Sequence, residues 1–303
     1  MCFRLRKKLQ GRRIMKTAVV ILNYNSADLT IRLAKKIAAE RCLDYIIIVD
    51  NKSTDESVDR IKQENISHCD IIEVAENKGY AAGNNIGCKY AIEKYSVDYI
   101  FISNPDVIFG REYVECILAV FEDKKEYSVL TGLMKYPDGR DDKRQYLLLP
   151  QYWEDVANCY AIGRKIVSKY LDRCIKVDYS KQINEVEALP GSLFAIRSET
   201  LKRINFFDEN TFLYYEENIL GIKLKQIGTK LGLVTQIEYL HDHSATIKKN
   251  VQSVKRRKII NQSVLYYERE YRKTKGIKMM FLKISLCFAL VDAYIVGLIK
   301  KML

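Results

Sequence analysis

The stretch Asp98-Tyr-Ile-Phe-Ile-Ser-Asn-Pro-Asp-Val107 decides the fold, because an apolar strand-like segment ends there at a polar turn. The apolar part is Tyr99–Ile102, and Ser103-Asn104-Pro105-Asp106 follows at once. Pro105 fixes φ and has no N–H to donate, so we expect the strand to stop and Asp106 to be presented rather than paired. In open α/β sheets ligands bind beyond the carboxyl ends of the strands. Taken alone, a solvated turn explains these residues equally well.

The residues before this stretch alternate between strand and helix patterns. Continuous apolar runs predict buried strands, and apolar residues at helical spacing predict helices between them. The predicted strands are Thr17–Leu22, Tyr45–Val49 and Asp70–Val74, and the predicted helices are Leu29–Ala39, Asp55–Glu64 and Tyr80–Lys94. Strands that alternate with helices indicate an α/β fold with a mostly parallel, Rossmann-like sheet and right-handed crossovers.

The pattern loosens after Arg111. Residues Tyr136–Lys181 contain a Pro-Asp-Gly turn, the only tryptophan and many tyrosines, and we expect an insertion or lid on the acceptor side. Around this segment we predict helices at Glu112–Phe121 and Ser198–Ile204, and a third that begins at the acidic segment Tyr214–Asn218 and runs to about Ile227. The predicted strands are Ser128–Met134, Leu193–Ile196, Leu231–Val234 and Glu238–Leu240.

Composition narrows the class of protein. A chain of 303 residues forms one large domain or two small ones with a sizeable core. The net charge of +12 suits nucleic acid, an anionic membrane surface or phosphorylated substrates. No nucleic-acid-binding motif is present, so we expect no nucleic-acid partner. The eight cysteines are scattered without Cys-x-x-Cys spacing, which favours reduced thiols in the cytoplasm.

Both ends of the chain are basic. Residues 1–14 lack the apolar core of a secretory signal, and we expect a basic N-terminal arm. At the other end, Lys248–Lys275 is basic and helical in pattern, and Met279–Leu303 is apolar but interrupted by charges. Its uncharged stretch Ile284–Val291 falls short of the about 20 residues that span a bilayer. This favours a helix lying in the membrane interface, while an ordinary packing helix remains the alternative.

Polar residues follow all four predicted strands of the first half. These ends meet at one edge of a parallel sheet, which is the usual place for a nucleotide-type ligand. No Gly-x-Gly-x-x-Gly follows the first strand and no Gly-x4-Gly-Lys-Ser/Thr occurs, so dinucleotide oxidoreductases and P-loop enzymes are disfavoured. The residues concerned are Asn23 and Asn25, Asp50, Asn51, Ser53 and Asp55, Asn77 and Gly79, and Asn104 and Asp106.

As an ordered set, these segments resemble the successive motifs of family-2 glycosyltransferases, in particular the bacterial rhamnosyltransferase-like branch. The resemblance spans about residues 17–246 and implies a GT-A fold. Its motifs are Val20-Ile-Leu-Asn-Tyr-Asn25, Ile48-Val-Asp-Asn-Lys-Ser-Thr-Asp55, Glu76-Asn-Lys-Gly-Tyr-Ala-Ala-Gly-Asn-Asn85, Asn104-Pro-Asp-Val107, Leu189-Pro-Gly-Ser192, Phe206-Phe-Asp-Glu209 and Tyr214-Tyr-Glu-Glu217.

The resemblance also implies roles for individual residues. A nucleotide-diphosphate sugar is the implied donor, a divalent metal (Mg²⁺ or Mn²⁺) the implied cofactor, and inversion by direct displacement the implied chemistry. Glu217 or Glu216 is the implied base, and Asp106 and His241 are the implied metal ligands. The implied substrate-binding residues are Asn23, Asn25, Asp50, Asn51, Ser53, Asn77, Gly79, Asn84, Asn104 and Gly191.

Two positions depart from the family pattern. Asn104 replaces the first Asp of the metal motif, and Glu216-Glu-Asn-Ile-Leu220 stands where Glu-Asp-Val-Asp-Leu is usual. Glu217 is therefore one methylene longer than the usual Asp, and Ile219 removes an acid. The choice between Glu216 and Glu217 as base stays open, as does a degenerate member that binds nucleotide sugar or glycan without turnover.

These observations predict three regions and one activity. The regions are an arm at 1–14, a GT-A domain at 15–246 with a nucleotide half (15–110) and an acceptor half (111–246), and a basic helical extension at 247–303. The predicted activity is transfer of a single hexose, such as rhamnose, to a glycan or polyprenyl-pyrophosphate-linked acceptor in bacterial surface polysaccharide synthesis. The predicted location is the cytoplasm, peripheral at the inner face of the cell membrane.

Overall fold

The computed structural model describes residues 15–141, 148–174, 176–242 and 253–302. The predicted N-terminal arm at 1–14 lies outside these residues, as do His243 and the first residues of the predicted C-terminal extension.

Four parallel strands form the first half of the sheet, as the apolar runs predict. They are β1 (Thr17–Asn23), β2 (Tyr45–Asp50), β3 (Cys69–Glu73) and β4 (Tyr99–Ser103), in the spatial order β3-β2-β1-β4. In β1 almost every residue is buried, because helices cover both faces of the sheet. The parallel register brings the carboxyl ends of β1, β2 and β4 to one edge.

Alternate residues of these strands enter two separate cores. Val19 and Ile21 pack with α1 (Ala27–Glu40), while Ala18 and Val20 pack with α3 (Tyr80–Tyr95) on the opposite face. This follows from the period of two along a strand. A short helix, α2 (Ser57–Gln63), joins β2 to β3.

The second half of the sheet is mixed. Strand β8 (Leu193–Arg197) runs antiparallel between β4 and β6 (Tyr127–Lys135), and β9 (Lys230–His241) runs parallel to β6. The prediction of two short strands at the end differs from the structure, which has one strand, β9, with a register shift around residues 235–237. The further elements are β5 (Val107–Ile108), α4 (Arg111–Asp123), β6 (Tyr127–Lys135), β7 (Ile183–Val186), β8 (Leu193–Arg197), α7 (Ser198–Arg203), α8 (Glu216–Gln226) and β9 (Lys230–His241).

Four helices form a layer beside the sheet. They are α5 (Tyr152–Ala157), α6 (Ala161–Cys174), α9 (Ser253–Glu270) and α10 (Gly276–Met302). A third small core, which contains Cys159, Val264 and Leu286, joins α5, α9 and α10, and Arg164 of α6 is paired with Asp292 of α10. The predicted insertion at 136–181 therefore supplies two helices that pack with the C-terminal ones. The boundaries of the predicted domains remain a prediction.

The last helix is longer than the uncharged stretch suggested. Its segment Gly276–Val296 has 21 residues with a mean hydropathy of 1.9, which is sufficient in length and composition to cross a membrane. The sequence-based expectation counted only the uncharged stretch Ile284–Val291, and the helix lying in the membrane interface remains a prediction.

Candidate functional site

Asn23 organises the loops that follow the first two strands. Its side chain is fully buried, and its Nδ2 donates to Asp50 Oδ2 at 2.8 Å and to Ser53 Oγ at 3.1 Å. Its Oδ1 accepts a hydrogen bond from Thr30 Oγ1 of α1 at 2.7 Å. Side chains from β1, β2 and α1 are thereby fixed together at the sheet edge.

The Asp50 carboxylate is occupied by protein donors. Besides Asn23, Oδ1 accepts from the Ser53 amide at 2.9 Å, and Oδ2 accepts from Ser53 Oγ at 2.5 Å. Asn25 joins this network because its amide donates to Ser53 Oγ at 2.9 Å. The sequence-predicted residues Asn23, Asn25, Asp50 and Ser53 thus lie together, and their contact with a donor nucleotide remains a prediction.

A second set of predicted residues lies between β2 and α3. Asn51 Nδ2 donates to Asn77 Oδ1 at 3.0 Å and to the Gly79 carbonyl at 3.2 Å. Gly79 has φ +101°, and a Cβ there would lie 2.2 Å from the Phe212 carbonyl oxygen. Only glycine fits this approach of two main chains. The loop after α7 is thereby held against the start of α3.

Asn84 points into the protein. It is 1% exposed, and its Nδ2 donates to the Tyr80 carbonyl one turn earlier in α3. Its expected role in binding the nucleotide sugar remains a prediction. The neighbouring Asn85 was not proposed as a site residue, yet its side chain exchanges hydrogen bonds with Phe207 and donates to Glu209. The spacing of the motifs gives no sign of that contact.

A cavity of about 370 Å³ opens at the same edge of the sheet. Five of its lining residues were predicted from the sequence, namely Asn104, Gly191, Glu216, Glu217 and His241. The others are Tyr80, Met134, Pro190, Ser192, Leu213 and Tyr214. Residues from the ends of β4 and β9, the start of α3 and the start of α8 therefore converge on one space.

The two glutamates open helix α8 after a strained corner. Tyr214 and Tyr215 have φ +76° and +73°, a left-handed conformation that is rare for large side chains. Such strain clusters at functional sites, where the surrounding structure holds it in place. Here it directs Glu216 and Glu217 at the cavity wall formed by Gly191.

Glu217 lies directly against Gly191. A Cβ on Gly191 would be 2.0 Å from Glu217 Oε1, so any other residue would displace this carboxylate from its present position. Tyr80 fixes the same glycine from the other side, because its hydroxyl donates to the Gly191 carbonyl at 2.6 Å. Tyr80 lies within a quoted motif, but only the structure shows its contact with Gly191.

Burial and mutual repulsion shift the pKa values of the two acids to different extents. The pKa of Glu216 is raised well above its usual range by burial and by repulsion from Glu217. The pKa of Glu217 is also raised by burial, and main-chain hydrogen bonds oppose the rise in both acids, so the repulsion is what distinguishes Glu216. Glu217 is therefore the better candidate for the ionised member of the pair.

Asp106 and His241 face each other across β5 and β9. Asp106 Oδ1 lies 3.2 Å from His241 Nε2, and both side chains are buried. The expectation that Asp106 is presented rather than paired was wrong, because the pairing of β5 with β9 places His241 opposite Val107 and covers the carboxylate. His241 lines the cavity, and Asp106 lies behind it.

A carboxylate in contact with a cavity-lining imidazole fits a divalent cation that is shared with a ligand. Across residues 15–141, 148–174, 176–242 and 253–302, no group of three or more His, Cys, Asp and Glu side chains could hold a metal. Mg²⁺ is commonly bound by one or two carboxylates together with substrate phosphates. Asp106 and His241 therefore suit a cation whose remaining ligands come from outside the protein.

The fold and the cavity define the class of the protein. The chain is similar in structure to a mannosyltransferase, PcManGT from Pyrobaculum calidifontis, solved with GDP-Man and Mn²⁺. The TM-score is 0.56 at 14% identity, over 99% of this chain and 81% of that chain. The fold is thus that of a GT-A glycosyltransferase, as the sequence predicts.

A model of glycosyl transferase family 2 matches residues 18–176, which is more than half of the chain. The protein therefore belongs to glycosyl transferase family 2, and the predicted family is confirmed.

Two curated proteins are similar along most of their lengths. The low-salt glycan biosynthesis hexosyltransferase Agl10 of Haloferax volcanii is 20% identical over 237 residues, 78% of this chain and 70% of its own. The rhamnosyltransferase WbbL of Escherichia coli K12 is 24% identical over 232 residues, 74% of this chain and 82% of its own.

Proposed function

We propose that the protein transfers a single sugar, rhamnose or another hexose, from a nucleotide-diphosphate donor to a glycan or lipid-linked acceptor, with inversion at the anomeric carbon. The observation that carries the proposal is the position of Glu217, held against Gly191 in the wall of a cavity that also contains His241. The names of the similar proteins support hexosyl transfer in glycan synthesis.

The proposed reaction is a single displacement. The acceptor hydroxyl oxygen bonds to the anomeric carbon, the bond from that carbon to the donor phosphate oxygen breaks, and the electron pair leaves with the nucleoside diphosphate. Glu217 takes the hydroxyl proton as general base, a role that typically contributes about 10²–10⁴-fold. Burial and repulsion from Glu217 raise the pKa of Glu216, which favours a lower negative charge beside the base.

Asp106 and His241 would hold the divalent cation, Mg²⁺ or Mn²⁺, when donor is present. When bound, such an ion neutralises charge on the diphosphate leaving group. The loops around Asn23, Asp50 and Asn51 would receive the nucleoside, since they lie at the same sheet edge as the cavity. The expected cellular setting is the cytoplasm, peripheral at the inner face of the membrane.

The alternative is a member that binds nucleotide sugar or glycan without turnover, and its support is the altered acidic motif. Ile219, which replaces an acid, is 1% exposed and belongs to the core rather than to the cavity lining. Glu217, the longer acid, reaches Gly191. The structure of the altered motif therefore favours an active enzyme.

The test is a panel of nucleotide sugars measured by thermal shift with and without Mn²⁺ or Mg²⁺, followed by transfer assays with the donor that stabilises the protein. We expect stabilisation that needs both donor and metal, and loss of the metal-dependent part in Asp106→Ala. Stabilisation without any transfer, even to a lipid-linked acceptor, would favour the binding-only alternative. Full transfer activity in Asp106→Ala would contradict the assignment of Asp106 to the active site.

A further inference from the structure

Helix α10 has two apolar faces, and the protein covers only one. The inner face packs against α9 and α5 through Leu282, Leu286 and Ala289, which are at most 5% exposed. Asn261 of α9 donates its Nδ2 to the Leu286 carbonyl at 2.7 Å. This face of the helix packs against the folded domain over about two turns.

The outer face carries a row of exposed large apolar side chains. The row Ile277, Phe281, Ile284, Phe288, Val291 and Ile295 is spaced alternately by four and three residues, so it forms one stripe. At 1.5 Å per residue the stripe is roughly 27 Å long. A continuous apolar surface of this size marks a contact with another apolar phase or partner.

Helices α5 and α6 extend this surface. Tyr160, just before α6, donates its hydroxyl to Ser285 Oγ at 3.1 Å, so the start of α6 lies beside α10. Ile162 and Ile166 of α6 are 74% and 59% exposed. Trp153 of α5 is also exposed, and its ring lies 5.4 Å from that of Tyr170.

The charges at this surface identify the partner. Asp292, the only acid in α10, is paired with Arg164 of α6 at 2.9 Å, which neutralises it. Lys165 and Lys169 line a groove with Arg164, and Lys283 lies within the length of α10. Apolar side chains with lysines around them suit the interface of an anionic bilayer. A second copy of a chain of charge +12 would be repelled.

We propose that α5, α6 and the outer face of α10 form one docking surface that lies in the plane of an anionic membrane. Although α10 is long enough to span a bilayer, crossing would strip its inner face from α9 and break the bond from Asn261. An in-plane helix keeps these contacts while its outer stripe enters the lipid. The proposal deepens the membrane contact of the proposed function and does not depend on sugar transfer.

The docking test is flotation of the full chain with vesicles of phosphatidylcholine alone or with phosphatidylglycerol added. We expect binding to the anionic vesicles, and a loss of at least about tenfold in Phe281→Ser/Phe288→Ser, since both large apolar side chains would be buried in the lipid. Ile86→Ser, an exposed apolar residue of α3, is the matched control and should bind like wild type. Lys165→Glu/Lys169→Glu should weaken only the binding to anionic vesicles.

The orientation of α10 relative to the membrane can be measured at the C-terminus and at Trp153. A cleavable tag after Leu303 stays accessible to protease on the outside of the vesicles if α10 lies in the plane, and is protected if α10 crosses. Lipids brominated near the headgroup should quench Trp153 more than those brominated near the chain end. A protected tag overturns the in-plane arrangement.

Two further outcomes separate docking from the enzymatic proposal. A dimer in sedimentation that Phe281→Ser/Phe288→Ser dissolves, with no vesicle binding, shows that the stripe joins two copies and overturns docking. If the protein binds vesicles but transfers no sugar, the docking proposal is supported and the proposed function is contradicted.

Discussion

The close contact between the Glu217 carboxylate and the main chain of Gly191 sets the chemistry of the cavity. The glycine leaves room for the carboxylate, and its amide helps to keep that carboxylate ionised against the effect of burial. Main-chain hydrogen bonds also oppose the raised pKa of Glu216, one residue earlier, but repulsion from Glu217 adds to the effect of burial there. Glu217 is therefore the better candidate for the base although the two acids are adjacent in the sequence.

This difference predicts unequal effects of amide substitution. Glu217→Gln removes the base, and we expect kcat to fall by about 10²–10⁴-fold with little change in donor binding. Glu216→Gln replaces the acid whose pKa is raised well above its usual range, so kcat should stay within about tenfold of wild type. Steady-state rates with the donor from the thermal-shift panel measure both. The reverse order of effects would assign the base to Glu216.

Substitution of Gly191 should act on the same carboxylate. In Gly191→Ala the new Cβ meets Glu217 Oε1, so the carboxylate must move, and a displacement of about 1 Å costs roughly 10²-fold in rate. Gly110→Ala is the matched control, because its Cβ would lie 2.5 Å from Glu40 Oε2, far from the cavity lining. Equal loss of activity in both variants, at equal stability, would contradict this mechanism.

The proximity of the site residues could be predicted from the sequence, but their burial and contacts could not. Asn23, Asp50, Asn104 and Asp106 follow strands, and the parallel sheet brings strand ends together, so their proximity was predictable. The burial of Asp106 was not, because it depends on β9, which returns more than a hundred residues later.

At the scale of elements, the corner before α8 depends on helices from distant parts of the chain. Tyr215 donates its hydroxyl to Asp155 of α5, and its ring packs 5.1 Å from Tyr267 of α9. Tyr214 accepts a hydrogen bond from Arg256 of α9 at 3.0 Å. No motif marks these contacts, because they join three separate segments. The strands were predictable from their apolar runs, but the partners of α5 and α6 were not.

Loss of the Tyr215 hydroxyl should loosen this corner. Tyr215→Phe leaves the buried Asp155 without that donor, which we expect to cost about 1–3 kcal/mol of unfolding free energy. Because Tyr215 adjoins Glu216, kcat should fall and its pH profile should shift, while donor affinity changes little. Tyr179→Phe, whose hydroxyl contacts the exposed Asp141 away from the cavity lining, is the control. An unchanged pH profile in Tyr215→Phe would assign the tyrosine to stability alone.

At the scale of the whole molecule, the chain combines a predicted charge of +12 with buried acids that the sequence did not reveal. Asp155 and Glu268 are almost fully buried in the helical layer, where Thr274 donates to Glu268. The pKa of Asp155 is raised well above its usual range by burial, and the neighbouring Glu268 raises it further. A fold-level pattern predicts which faces are apolar, but not which polar groups a later helix will enclose.

The raised pKa of Asp155 makes stability depend on pH in a defined direction. The folded state binds this proton more tightly than the unfolded chain, so its contribution is fully present below the usual carboxyl range of about 4 and is lost as pH rises. We expect the free energy of unfolding to decrease as pH is raised from about 4 to neutral, by up to about 1.4 kcal/mol per pH unit for one linked proton. Asp155→Asn, which keeps an acceptor for Tyr215, should flatten the slope. Asp59→Asn, at an exposed position of α2, should leave it unchanged, and parallel curves for all three proteins would contradict the assignment.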